Sequence, residues 1–197
     1  MTVLQYLLVI TSAYLIGSFS SGIYISSRQG RDIRSEGSKS SGATNVARVL
    51  GTRFGLITFA MDFLKAGIAV SLGWFISGRA GALAAGLYVV IGHNWPVYYH
   101  FRGGKGIVCS TAVLLIIFPV ETLIAGAVAL TVIALSKYVS LGSLVLLSLS
   151  ALIIVLFKGF LPSGIWAMIL LVLALYQHRS NIVRLLHGKE NKLSFKR

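Results

Sequence analysis

Leu141-Gly142-Ser143-Leu144-Val145-Leu146-Leu147-Ser148-Leu149-Ser150-Ala151-Leu152-Ile153-Ile154-Val155-Leu156-Phe157 runs for 17 residues without a charge, between Lys137 and Lys158. A helix needs roughly 20 apolar residues, within a range of about 17–25, to cross the hydrocarbon core of a bilayer. The stretch therefore reads as a membrane span, and the pattern recurs on both sides of it. Residues 1–27 carry no charge, and residues 106–136 carry only Glu121. Over all 197 residues, 56% are hydrophobic and 12% charged. A soluble domain has about 25% charged residues. Only 3 prolines are present and the 21 glycines follow no repeat, so a disordered or collagen-like chain is excluded as well. Spans of this length use up the chain and leave no room for a separate soluble domain. The sequence predicts an all-α polytopic membrane protein folded as a single domain over 1–197.

Charged and polar segments mark off seven spans, at about 1–27, 54–76, 80–92, 106–118, 121–136, 141–157 and 163–177, with a tight turn at Ser77-Gly78-Arg79 between the second and third. Met1-Thr2-Val3-Leu4-Gln5 has no basic residue, so the first span reads as retained rather than as a cleaved signal peptide. Pro119, close to Glu121, marks a hairpin between two short spans. All three prolines, Pro96, Pro119 and Pro162, fall in predicted loops. Of the 18 Lys and Arg residues, 15 lie in segments 28–53, 93–106, 137–140 and 178–197, all on one face. The other face holds Arg79 and Lys158, and Lys65 lies within a span. Cytoplasmic loops are rich in Lys and Arg, which predicts an outside N-terminus and a cytoplasmic C-terminus. The net charge of +13 would suggest nucleic acid in a soluble protein. Here the clustering of cations assigns it to membrane orientation, so no nucleic-acid partner is expected. The single Cys109 excludes a disulfide framework and offers no metal pattern.

Two polar segments on the basic face carry the chemistry. The first is Gly30-Arg31-Asp32-Ile33-Arg34-Ser35-Glu36-Gly37-Ser38-Lys39-Ser40-Ser41-Gly42-Ala43-Thr44-Asn45-Val46-Ala47-Arg48. Glycines let backbone N–H groups converge on an anion, and Ser and Thr add donors. Thr44-Asn45 is expected to cap a helix pointing at the same anion, with Arg48 on that helix face. A plain solvated loop that fixes orientation is the alternative. The second segment is Gly92-His93-Asn94-Trp95-Pro96-Val97-Tyr98-Tyr99-His100-Phe101-Arg102-Gly103-Gly104-Lys105-Gly106. Gly103-Gly104-Lys105-Gly106 before an apolar helix fits a phosphate cradle, although it is not a Walker A loop. Trp95, Tyr98, Tyr99 and Phe101 suit the membrane interface. His93 and His100 read as interfacial by default. Ser140 and Ser143 begin one span on the same face, and His178 and Asn181, at i and i+3, end another. Asp62 and Lys65, also i and i+3, fall inside a span, where a bare charge is costly. They are expected to pair with each other or with the polar loops. Only 5 Asp and Glu residues are present, too few for a metal cluster, and no cofactor is expected. Apolar-tailed anions are the natural ligands of such a surface.

These motifs resemble those of the bacterial acyl-phosphate:glycerol-3-phosphate acyltransferases of the PlsY type. Gly17-Ser18 followed by Phe19-Ser20-Ser21-Gly22 is similar to that family's first turn. Gly37 to Arg48 is similar to its Gly-Ser-Gly-Asn-x-Gly-Ala-Thr-Asn-x-x-Arg segment. Gly92-His93-Asn94-Trp95-Pro96-Val97 and Phe101 to Gly106 are similar to its Gly-His-x-x-Pro-Val and Phe-Lys-Gly-Gly-Lys-Gly pieces. Tyr138 to Leu141 and His178 to Ile182 also match, so the likeness covers the chain in order. Lys39 and Ser40 depart from the usual Gly and Asn, Ser20-Ser21 from a Pro-aromatic pair, and Arg102 from Lys.

The resemblance implies seven spans and transfer of a fatty acyl group from acyl phosphate to the 1-hydroxyl of glycerol 3-phosphate. The products are lysophosphatidic acid and phosphate, in the first step of phospholipid synthesis. It implies Ser38, Arg48 and Lys105 as catalytic residues. Gly42, Thr44, Asn45, His93, Gly103, Gly104, Ser143, His178 and Asn181 are implied as substrate-binding. Ser38, Gly42, Thr44 and Asn45 go to the acyl-phosphate end. Arg48, Lys105, Ser143, His178 and Asn181 go to the glycerol 3-phosphate end. Membrane lipids and an upstream acyl-phosphate-forming enzyme are the further partners, at the cytoplasmic side of a bacterial inner membrane. A transporter for a phosphorylated anion or lipid is the alternative, although no internal repeat is visible. A CoA-using acyltransferase would carry His-x4-Asp, and no His here has Asp five residues on.

Overall fold

The structure is a computed structural model that describes residues 2–193, all of them in helices, turns or connecting segments. Lys196 and Arg197 of the predicted basic tail lie outside the described residues. The chain divides into two compact units, one running up to Ile117 and the other spanning Phe118–Leu193.

The first unit opens with α1 (Val3–Ser18), started by a capping box. Gln5 N donates to Thr2 Oγ1 over 3.2 Å and Thr2 N donates to Gln5 Oε1 over 2.9 Å, which satisfies two otherwise orphaned amides. The uncharged run 1–27 is not one continuous helix. It breaks at Phe19, and α2 (Ser21–Arg28) follows. The cause is a long-range cap. Lys65 Nζ donates to Gly17 O and Phe19 O at 3.1 and 2.6 Å, taking carbonyls that a continuing helix would bond to its own amides. A span read from apolarity alone carries no sign of this.

The predicted loop 28–53 contains a further helix, α3 (Ala43–Leu50). Its N-cap is Gly42, without a side-chain hydrogen bond, so Thr44 and Asn45 lie in the first turn rather than at the cap. α4 (Thr52–Asn94) is two arms joined at the expected turn. Ser77 and Gly78 leave helical geometry, Gly78 with φ +57°. A Cβ on Gly73 would lie 2.4 Å from Gly81 O and 2.7 Å from the Ala85 methyl, so the arms fold back on each other at glycine distance. Tyr14 Oη donates to Trp95 O over 2.9 Å, which fastens α1 to the end of the second arm. A small core of Ile23, Ile33 and Val46 lies beneath the first polar segment, and Tyr99 of the second segment packs against it. The two segments are therefore locked together within one unit. The unit ends in α5 (Ile107–Ile117), whose 11 residues are short for a crossing.

In the second unit, α6 (Pro119–Ser136) starts with Pro119 at its first position rather than in a loop. A first-turn amide has no acceptor within the helix, so proline loses nothing there. α7 (Val139–Lys158) follows after Lys137. Phe160–Gly164, which contains Pro162, leads into α8 (Ile165–Gln177), and α9 (Arg179–Leu186) closes the unit. Glu121 and Lys158 pair at 3.3 Å. Among the described residues, five stretches are long and apolar enough to cross a membrane: Val3–Arg28, Thr52–Tyr99, Pro119–Ser136, Val139–Lys158 and Phe160–Gln177. Large side chains such as Phe75 and Leu135 lie over four-fifths exposed, as lipid-facing residues do.

Candidate active site

The first segment is organised by one buried side chain. Asn45 Oδ1 accepts from Ser38 N at 2.8 Å. Its Nδ2 faces Ile33 O, Glu36 O and Ser40 O at 3.3, 3.0 and 2.9 Å. Both ends of the amide are thus engaged by the loop, which wraps around Asn45. Around this post, Ser38 and Gly42 are half-buried, Thr44 is exposed, and Arg48 is half-buried without an ion pair among the described residues. The loop turns through positive φ at Gly37 (+57°) and at Lys39 (+60°). Lys39 stands where the resembling family has glycine, the residue that tolerates that geometry. On the rim, Asp32 accepts from Arg34 Nε at 2.9 Å, and this bond holds the Asp32 carboxyl below its ordinary value.

The second segment rests on a buried polar cluster. His93 is only 3% exposed rather than interfacial. Its Nδ1 lies 3.0 Å from Lys65 Nζ, and an ammonium can only donate, so Nδ1 accepts. Lys65 also pairs with Asp62 Oδ1 at 2.8 Å, and Ser21 Oγ donates to the same oxygen at 2.9 Å. The expected Asp62–Lys65 pairing is present, together with contacts to Ser21 and His93. Cys109 Sγ lies 3.5 Å from Asp62 O. Asp62, His93 and Cys109 could in principle offer three metal ligands. The Lys65 ammonium sits between Asp62 and His93 and fills the place a cation would take.

Gly103 and Gly104 lie directly on His93. Gly104 N donates to His93 O over 3.1 Å. A Cβ on Gly104 would fall 2.1 Å from His93 Nε2, and one on Gly103 would fall 2.1 Å from His93 O. Lys105 follows, half-buried, and Gly106 with φ +78° leads into α5. Asn94, buried beside Gly106, leaves both amide atoms without a partner among the described residues.

The structure places Ser143, His178 and Asn181 in the second unit, all of them buried. Ser143 Oγ donates to Val139 O at 2.8 Å. His178 Nδ1 lies 2.8 Å from Ala174 O, so that nitrogen carries the proton. Asn181 Nδ2 donates to Glu190 Oε1 at 2.8 Å, and Arg184 Nε donates to Glu190 Oε2 at 2.8 Å.

Every carboxylate side chain is matched by a cation. Asp32 faces Arg34, Glu36 faces Arg31, Asp62 faces Lys65, Glu121 faces Lys158, and Glu190 faces Arg184. His93, His178 and His187 each have Nδ1 engaged. His100 is exposed. The cations, hydroxyls and glycine amides of the two polar segments suit an anion better than proton abstraction by a carboxylate.

A sequence model described as Glycerol-3-phosphate acyltransferase matches residues 7–188. The chain belongs to the glycerol-3-phosphate acyltransferase family. The acyltransferase of that name from Thermoanaerobacter sp. strain X514 is 48% identical over 186 residues, covering 93% of each chain. The one from Clostridioides difficile strain 630 is 41% identical over the full length of both. Among solved structures, the glycerol 3-phosphate form of PlsY, an integral membrane glycerol 3-phosphate acyltransferase, superposes with a TM-score of 0.91. It shares 34% identity over 96% of each chain. The lysophosphatidic acid form of PlsY gives a TM-score of 0.87 at 33% identity. Membership of the acyltransferase family selects the enzyme reading over the transporter reading. Sequence reading singled out Asp62 and Lys65 as a pair but gave them no tie to His93. Their three-residue spacing inside an apolar span was the available signal.

Proposed function

We propose that the protein transfers a fatty acyl group from acyl phosphate to the 1-hydroxyl of glycerol 3-phosphate, releasing lysophosphatidic acid and phosphate. It does so as a single transmembrane domain over 1–197, at the cytoplasmic face of a bacterial inner membrane. Family membership supports the acceptor and the product. The observation that carries the donor and the mechanism is the pairing of all five carboxylates with cations, together with two glycine-rich segments that bear Ser38, Arg48 and Lys105. No carboxylate is free to act as base, and with His178 read as a ligand of glycerol 3-phosphate the leaving phosphate is the proton acceptor. The acceptor hydroxyl attacks the acyl carbonyl, the C–O bond to phosphate breaks, and the hydroxyl proton passes to a phosphate oxygen. The protein's task is then positioning and electrostatic stabilisation. Ser38, Gly42 and Thr44 bind the acyl phosphate, on a loop that Asn45 holds in shape. Arg48, Lys105, Gly103, Gly104, Ser143, His178 and Asn181 serve glycerol 3-phosphate. His93 supports this group from below.

Seven crossings follow if the two arms of α4 each span and α5 spans as a short helix. The N-terminus is then outside, in line with 15 of 18 cations on the opposite face. Phosphate release by purified protein with acyl phosphate and glycerol 3-phosphate tests the reaction. Acyl-CoA in place of acyl phosphate is expected to give no turnover, and equal turnover with it refutes the donor. A cysteine at position 39, in a Cys109-free background, is expected to resist labelling from outside intact cells. Labelling there reverses the orientation.

A further inference from the structure

We propose that Asp62, Lys65 and His93 are positioning residues that set the Gly103-Gly104-Lys105 turn from inside the helical layer. The inference rests on the reading of that turn as a phosphate site. The turn touches His93 twice, through the Gly104 N–H on His93 O at 3.1 Å and through the Gly104 Cα against the imidazole edge. No side chain fits between them, because a Cβ at Gly104 would meet Nε2 at 2.1 Å and Cε1 at 3.0 Å. Packing confines the ring, and Lys65 Nζ fixes its orientation through Nδ1 at 3.0 Å. Lys65 is held in turn by Asp62 Oδ1 at 2.8 Å, Gly17 O at 3.1 Å and Phe19 O at 2.6 Å. Ser21 Oγ fixes the carboxylate at 2.9 Å. A flexible lysine thus becomes a rigid strut between the broken end of α1 and the imidazole.

Stability alone is a weak reason for such a cluster. A buried ion pair can often be replaced by apolar side chains without loss. A strut that aims a phosphate-binding turn has a reason to stay polar and directional, because small displacements of a site from remote positions have large kinetic effects. Lys65 then acts through His93 and not on the substrate, which makes a prediction that a merely structural pair does not.

The test is a double-mutant cycle of Lys65→Met and His93→Ala in the full chain, in detergent. It reads the KM for each phosphate substrate, kcat, and the Kd for glycerol 3-phosphate by calorimetry. Each single variant is expected to raise the Kd and a substrate KM by about tenfold, with a smaller change in kcat. The double variant is expected to show about the same tenfold rise, since residues acting in one chain are non-additive. Lys65→Arg is expected to recover part of the loss. Where Lys65→Met fails to accumulate in the membrane, Asp62→Asn keeps the shape of the carboxylate and carries the same cycle. Independent effects that multiply to about a hundredfold in the double variant, or an unchanged Kd and KM in a folded single variant, overturn the proposal. Calorimetry separates the two claims. Absent turnover in the unmodified protein with intact glycerol 3-phosphate binding sinks the proposed reaction, while the binding cycle still decides the strut.

Discussion

In the first polar segment, a side chain reaches into the loop. The Asn45 amide bonds to the backbone of Ile33, Glu36, Ser38 and Ser40, and the loop closes around it. In the second segment the turn is set by side chains that are missing. Gly103 and Gly104 let the backbone settle against the carbonyl and ring of His93. The proposed function gives both devices the same task, holding an anion, yet they fail in different ways. A loop wrapped on a hydrogen-bonding post loosens when the post changes and tolerates variation around it. A turn seated at van der Waals distance on a buried ring has no slack at all.

That difference orders the expected effects of substitution. Gly103→Ala is the harshest, because its Cβ would strike a backbone carbonyl that no rotamer change can move. Loss of activity of about a hundredfold or more is expected in inserted protein, and near-normal turnover breaks the comparison. In the proposed site, Arg48→Ala and Lys105→Ala each remove a cation from a dianionic ligand. Charge-assisted hydrogen bonds contribute roughly 1.5–3 kcal/mol, so a loss of about ten- to a hundredfold in kcat/KM is expected from steady-state kinetics. Either variant acting like the unmodified protein removes that residue from the site.

Asn45→Asp sharpens the comparison further. It keeps the shape of the post but turns the donor toward Ile33 O, Glu36 O and Ser40 O into an acceptor. A loss of about 1–3 kcal/mol in folding stability is expected, read by thermal unfolding in detergent, together with a raised substrate KM. Full tolerance would mean that the loop does not depend on its post. The smallest effect has the opposite sign. Lys39 holds φ +60°, a conformation that disfavours a residue with a side chain by roughly 1–2 kcal/mol. Lys39→Gly is expected to stabilise the loop by about 0.5–1 kcal/mol without raising KM. Destabilisation would show that the Lys39 side chain has its own role there.

The sequence was most legible where a local pattern carried the information. Uncharged runs located the apolar helices, and Ser77-Gly78-Arg79 located the turn between the arms of α4. The three-residue spacing of Asp62 and Lys65 announced their pairing. The misreadings share a different cause. The break at Phe19 depends on Lys65, 46 residues away, capturing its carbonyl. His93 looked interfacial because its partner Lys65 lies 28 residues earlier in the chain. Thr44 and Asn45 looked like caps because small polar residues before an apolar run usually are. The role of Asn45 only appears once the loop is folded around it. At Phe19 and His93 a long-range polar contact inside an apolar layer outweighed the local signal, since an unmet polar group there is costly.

The most direct test of the account is a donor-only experiment. Purified protein is mixed with acyl phosphate labelled in the acyl chain, first without and then with glycerol 3-phosphate. Phosphate release and label on the protein are followed together. Direct, substrate-assisted transfer predicts no phosphate burst and no labelled protein until glycerol 3-phosphate is added, after which phosphate and lysophosphatidic acid appear in equal amounts. A burst of phosphate in the absence of acceptor, with the label recovered on Ser38 or Cys109, would contradict it.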